Sequence, residues 1–140
     1  MLRVRSMLIC LAAVAASPLG GCGTDHVREL RDERDAVFPA NYRTEIVAFM
    51  KSYLNDPGNV RDAYIAEPVR KPFDTRERYV VCVRYNARNS EGRYAGSKDG
   101  MALFNDGRFD RLVEQSANRP LVQCADADYK PFPELQALKR

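Results

Sequence analysis

Few residues of this chain have the chemistry that catalysis or metal binding needs. Nucleophilic catalysis uses a serine, cysteine or threonine close to a base, most often a histidine. His26 is the only histidine, and it lies in the charged segment 23–35. The four cysteines therefore lack the histidine partners of a mixed zinc site. The glycines are scattered and do not form a phosphate-binding loop. The sequence predicts no catalytic residue, no metal site and no cofactor.

Three arginines have the chemistry to bind an anionic partner. Arg84 and Arg88 alternate with Asn86 in a stretch of strand-like sequence, so their side chains share one face. Arg93 follows beyond a predicted turn. Guanidinium groups at this spacing can form forked contacts with an anionic glycan, a lipid headgroup or an acidic envelope protein. The alternative is a solvated face that nearby acidic residues balance, namely Glu91, Asp99 and Asp110.

The amino-terminal residues have the features of an export signal. Arg3 and Arg5 are followed by ten apolar residues, 7–16. As a helix this run is about 15 Å long, which is half of a hydrocarbon core of roughly 30 Å. It has the length of a signal-peptide core and is too short for a stable transmembrane helix. Pro18 ends the run, and the tetrapeptide Leu-Gly-Gly-Cys follows at residues 19–22.

This tetrapeptide resembles the lipobox of bacterial lipoproteins, which has an aliphatic residue, two small residues and a cysteine. The resemblance implies cleavage before Cys22, which then carries a diacylglycerol and an acylated amino group. Gly23 stands where an aspartate commonly retains lipoproteins in the inner membrane, which implies the outer membrane, facing the periplasm. The alternative is an ordinary secretory signal with an incidental cysteine. The mature part resembles small uncharacterised proteobacterial lipoproteins, and this resemblance implies no activity or site.

The four cysteines then fall into three groups. Cys10 lies in the signal core and is removed, and Cys22 carries the lipid. Cys82 and Cys124 remain, in a compartment that permits disulfides. Pairing them closes a loop of about 43 residues, which the chain-entropy argument values at ~4 kcal/mol. Two free thiols, or half of a metal site, are the alternatives.

Hydrophobic periodicity predicts one helix followed by strands. Apolar residues recur at spacings of three and four over residues 41–54, with Asn41 as the expected cap. The apolar face of this helix comprises Tyr42, Ile46, Phe49 or Met50, and Tyr53. Beyond it the period changes to two, which predicts strands over residues 60–66, 78–89, 93–104 and 108–113. Pro133 is expected to begin a short final helix.

A helix followed by an antiparallel meander predicts an α+β domain with the helix across one face of the sheet. The expected helix-facing row of strand 78–89 is Tyr79, Val81, Val83, Tyr85 and Ala87. Cys82 points to the opposite face, so a bond to Cys124 ties the carboxy-terminal tail over that face. The residues expected to cover it are Leu121, Val122, Phe132 and Leu135. Three segments follow: a signal peptide (1–21), the lipidated cysteine with a charged tether (22–40) and the globular domain (41–140).

Net charge argues against nucleic acid as a partner. The formal charge is +3, and because two of these charges belong to the signal peptide, about +1 remains. Binding to a phosphate backbone needs a strong basic excess focused on one face. The expected role is a non-catalytic binding or accessory module in the cell envelope. The alternatives are an inhibitor of wall-degrading enzymes and a small hydrolase that uses a pair of carboxylates.

Overall fold

The computed structural model describes residues 23–139. It confirms the predicted α+β fold, in which helices pack with a six-stranded antiparallel sheet. The helices are α1 (Gly23–Asp35), α2 (Tyr42–Tyr53) and α3 (Pro133–Gln136). The strands are β1 (Arg61–Ile65), β2 (Val69–Phe73), β3 (Arg76–Asn86), β4 (Lys98–Asn105), β5 (Arg108–Glu114) and β6 (Lys130–Pro131). None of the helices within this range is long and apolar enough to cross a membrane.

The long strand β3 is the centre of the sheet, whose order is β5-β4-β3-β1-β6. β4 pairs with one side of β3, whereas β1 and β2 share its other side. The meander of β3, β4 and β5 agrees with the hydrophobic pattern, except that β3 ends at Asn86 rather than at residue 89 and β4 begins at Lys98 rather than at residue 93. The sequence does not predict β2 or β6, because Pro72 and Pro131 argue against a strand anywhere but at an edge.

The face of the sheet beneath α2 holds the larger core. Tyr42, Ile46 and Met50 of α2 are buried there. They pack with the predicted row of β3, which comprises Tyr79, Val81, Val83, Tyr85 and Ala87. Phe49 is half-buried, with its ring centroid 4.7 Å from that of Phe109. Tyr53 was expected in the core face of the helix, but it is 45% exposed and stacks on Phe49.

The start of α2 differs from the expected cap. Asn41 occupies the N-cap position, yet its side chain makes no capping hydrogen bond within the described residues. Its backbone (φ −100°, ψ 21°) lies outside the extended region from which a side chain usually caps the first turn. Glu45 connects this end of α2 to β5 instead. Its carboxylate accepts a hydrogen bond from the backbone N–H of Phe109 at 2.6 Å and pairs with Arg108 at 2.5 Å. Tertiary contacts therefore orient α2.

The opposite face of the sheet carries the predicted disulfide. Cys82 and Cys124 are bonded, with their Cα atoms 5.7 Å apart. A second core surrounds the bond and comprises Ala66, Val80, Met101, Leu103, Val113 and Leu121. Lys71 of β2 donates a hydrogen bond to the backbone carbonyl of Gln123 at 2.9 Å. The carboxy-terminal tail is thus tied across this face, as predicted from the two cysteines that remain for a disulfide.

The prediction of which residues cover the disulfide face was only partly right. Leu121 is buried there, but Val122 is 67% exposed. Phe132 and Leu135 belong to the core beneath α2 instead. The reason is β6, which pairs with β1 at the edge of the sheet, where the N–H of Phe132 donates to the carbonyl of Ala63 at 2.8 Å. The tail therefore passes around this edge to the helix side.

The helix α1 is joined to the sheet at its carboxy-terminal end. Residues 25–34 are exposed, as expected for a tether, but Asp35 is only 1% exposed. Its carboxylate pairs with Arg76 of β3 at 3.1 Å. The carbonyl of Arg34 also accepts a hydrogen bond from the N–H of Asp106 at 2.9 Å. The last turn of α1 is therefore fixed relative to the domain.

Candidate functional site

Arg84 is bound within the domain. Its Nε and one terminal nitrogen donate to the two carboxylate oxygens of Asp99, at 2.6 and 3.0 Å. Asp99 is the residue opposite Arg84 on β4, so the pairing follows from the register of the strands. The guanidinium also lies over the ring of Tyr129, 4.7 Å from its centroid. The bonds to Asp99 raise the pKa of Arg84. Tyr129 belongs to the tail, which thus reaches across this arginine.

Arg88 and Arg93 have carboxylate partners of their own. β3 ends at Asn86, and Arg88 follows as a single bridge opposite Tyr94. Arg88 pairs with Asp56 at 3.3 Å and lies 5.3 Å from the centroid of the Tyr94 ring. Arg93 is highly exposed and pairs with Glu91. As expected, Asp99 and Glu91 balance the charges of candidate arginines. Asp110 instead pairs with Arg78, at 2.9 Å. The three candidate arginines therefore each have a carboxylate partner within the domain, namely Asp99, Asp56 and Glu91.

A second feature lies at the end of α2. A cleft of about 320 Å³ opens between the last turn of α2 and the ends of β3, β4 and β5. We call it the α2-end cleft. Its polar and aromatic lining comprises Tyr53, Asn55, Tyr85, Arg88, Asn89, Ser90, Lys98 and Glu114. Four different elements, with the residues that follow β3, thus bring an acid, two cations and two phenols to one concave place.

Glu114 is the central hydrogen-bond acceptor of the α2-end cleft. The buried Tyr85 hydroxyl donates to its carboxylate. Burial raises the pKa of Tyr85, and the nearby negative charge of Glu114 raises it further. Tyr85 therefore stays protonated and remains a donor. Burial and then Glu114 also raise the pKa of Tyr53. The Nζ of Lys98 is 4.0 Å from a Glu114 oxygen, at the limit of an ion pair.

The α2-end cleft also contains groups with spare hydrogen-bonding capacity. The Nε of Arg88 is buried and has no acceptor among residues 23–139. A buried donor without an acceptor is costly, but this atom has no accessible surface, so a ligand in the cleft does not reach it. The side chain of Lys98 is 60% exposed and can turn away from Glu114. The ring of Tyr53 offers an exposed aromatic surface that Phe49 supports from behind, at 5.0 Å between centroids. This arrangement is suited to binding a small polar molecule.

Sequence reasoning named only one lining residue, Arg88, as a site candidate. The hydrophobic pattern places Tyr53 in the core, and Lys98 lies within the predicted strand 93–104 with no role of its own. Glu114 lies one residue beyond the last predicted strand, 108–113. No local motif joins residues so far apart in the chain. The weak signal was Tyr53 itself, because it is the last member of an apolar row at the end of a helix.

No protein-family model, curated protein or solved structure matches the chain. Its function must therefore be inferred from its own residues. Two of its features bear on function directly: the lipoprotein-like amino terminus and the α2-end cleft.

Proposed function

We propose that this protein is a lipid-anchored component of the cell envelope whose domain acts as a non-catalytic binding module. The lipobox-like residues 19–22 support the anchor, although Cys22 lies outside the described residues. The described helix α1, Gly23–Asp35, lies between that cysteine and the domain. At ~1.5 Å per residue its 13 residues span about 20 Å. Because Asp35 fixes its far end to β3, the domain would be held at a short distance from the bilayer. Gly23 after the cysteine supports the outer membrane.

The α2-end cleft carries the binding part of the proposal. It brings an acceptor, several donors and an exposed aromatic ring together on a rigid sheet, which is typical of small-molecule sites. Glycoside hydrolysis ordinarily needs two carboxylates roughly 5–9.5 Å apart. Among the described lining residues of the cleft, Glu114 is the only carboxylate. This composition favours binding over the alternative of a carboxylate-dependent hydrolase.

The anchor is tested by the variant Cys22→Ser in the full-length protein. We expect the variant to lose cleavage at the lipobox, because the peptidase acts on the lipid-modified cysteine of such signals. The precursor should accumulate and the lipid-dependent partition into detergent should disappear. Gel mobility and Triton X-114 partitioning of membrane fractions measure both effects.

Cys10→Ser is the matched control, because it changes a cysteine in the signal core and leaves the lipobox intact. It should be processed like the wild type. Normal cleavage of Cys22→Ser, with unchanged partitioning into detergent, would contradict the proposed anchor.

A further inference from the structure

We infer that the α2-end cleft binds a saccharide, and that it prefers a sugar that bears an acid group. The inference rests on the proposed function and adds to it the chemical class of the ligand. It depends on the conjunction of Tyr53, Lys98 and Glu114 in one concave place.

The polar groups of the cleft match a polyhydroxylated ligand. A sugar ring carries hydroxyl groups around its edge, and each can donate one hydrogen bond and accept others. Glu114 is held in place by Tyr85 and keeps further lone pairs for such hydroxyls. Arg88 lines the cleft, but its guanidinium already pairs with Asp56 at 3.3 Å and its Nε is buried, so it is not counted among the ligand-binding groups. Asn89 contributes an amide at the rim.

Tyr53 provides the apolar part of saccharide recognition. Sugar rings have a face of C–H groups that packs on an aromatic ring, and tyrosine offers such a ring at low entropy cost. The side chain of Tyr53 is 45% exposed and lines the cleft. Its ring also stacks on the ring of Phe49. The supporting ring holds Tyr53 in place, so little rotamer freedom is lost when a ligand binds.

The size and charge of the cleft further limit the chemical class of the ligand. A volume of about 320 Å³ is at the lower end of the range for ligand sites, which suits one or two sugar rings. Lys98 is 60% exposed and only loosely associated with Glu114. It can therefore turn to a carboxylate on the ligand and form a charge-assisted hydrogen bond.

The test is calorimetric titration of the full-length protein in detergent micelles with two disaccharides. One is a dimer of N-acetylglucosamine, which is neutral. The other joins N-acetylglucosamine to N-acetylmuramic acid and therefore differs by a lactyl carboxylate. We expect both to bind and the acidic one to bind more tightly. Lys98→Gln should remove this preference, because it removes the charge that meets the carboxylate.

Two further variants test the site itself. Tyr53→Ala and Glu114→Gln should each weaken binding of both sugars by about tenfold or more, which corresponds to about 1.4 kcal/mol. Tyr64→Ala is the matched control, because Tyr64 is a comparably exposed tyrosine of β1 outside the cleft. It should leave both affinities unchanged. Circular dichroism verifies that each variant is folded.

Three results would overturn the inference. The first is a folded wild-type protein that binds neither sugar. The second is binding that Tyr53→Ala and Glu114→Gln leave unchanged. The third is equal affinity of the wild-type protein for the two sugars, which would show that the cleft does not prefer a sugar with an acid group. The first two leave the anchor at Cys22 untouched, whereas failure of the Cys22→Ser experiment leaves the sugar titrations untouched, so the two failures are distinguishable.

Discussion

Replacing Phe132 by alanine is expected to lower the free energy of unfolding by about 3–5 kcal/mol, the range for truncating a buried aromatic residue. Phe132 is fully buried in the core beneath α2. The guanidinium of Arg43 lies 5.0 Å from the centroid of its ring. Truncation would leave a cavity between α2, α3 and β1, and it would loosen the turn that brings the tail around the edge of the sheet. Urea unfolding followed by circular dichroism measures the effect.

The control is Val122→Ala in the same tail. Val122 is 67% exposed, so its truncation should change the stability by no more than about 0.5 kcal/mol. The sequence pattern assigned both residues to one covering layer, and this pair of variants separates that prediction from the observed path of the tail. A Phe132→Ala protein as stable as Val122→Ala would show that the tail does not pass to the helix side.

Removing the disulfide is expected to lower the stability by about 2–5 kcal/mol. The bond joins the central strand β3 to the tail, and 42 positions separate the two cysteines. In the chain-entropy argument a loop of this length accounts for ~4 kcal/mol, because the cross-link restricts the unfolded chain. The double variant Cys82→Ala with Cys124→Ala should therefore unfold at lower urea concentration. Reductant should lower the stability of the wild type and leave that of the double variant unchanged.

The double variant separates the contribution of the disulfide from that of the hydrogen bonds around it. Lys71 and Gln123 still connect β2 to the tail, through hydrogen bonds at 2.9 Å and 3.1 Å, so the folded state should persist. A double variant with the stability of the wild type, or a wild type with two alkylatable thiols under non-reducing conditions, would contradict the account.

Periodicity was sufficient for the parts of the fold whose residues alternate in a simple pattern. Tyr42, Ile46 and Met50 recur at intervals of four, and the burial of these residues follows. The row from Tyr79 to Ala87 has period two and faces α2 as expected. Counting also predicts the Cys82–Cys124 bond, because the expected signal peptide and lipid anchor account for Cys10 and Cys22.

The remainder depends on contacts that no local pattern records. β2 and β6 contain prolines, and only their neighbours β3 and β1 turn these stretches into strands. β6 decides which side of the sheet Phe132 occupies. Because β6 is only two residues long, its sequence is too short to show a hydrophobic period. The start of α2 is set by Glu45 and its partners on β5 rather than by Asn41.

The candidate site was less accessible to prediction than the fold. The pair Arg84–Asp99 could be anticipated, because the two residues are cross-strand neighbours. The pair Arg88–Asp56 could not, because Asp56 follows α2 and meets Arg88, two residues beyond β3, only in the folded chain. In the same way Tyr53 and Glu114 come together at the α2-end cleft through the packing of α2 on the sheet. Charge and spacing identified the arginines, and tertiary structure determined their partners.

Sedimentation with insoluble cell-wall glycan tests most directly the claim that the domain binds without catalysis. The full-length protein in detergent is incubated with the glycan, and both the pellet and the soluble fraction are examined. We expect the protein in the pellet with the glycan and no release of soluble reducing sugar above the protein-free control. Release of sugar would indicate a hydrolase, and protein that stays in the supernatant would show that the domain does not bind the glycan. Either result would contradict the account.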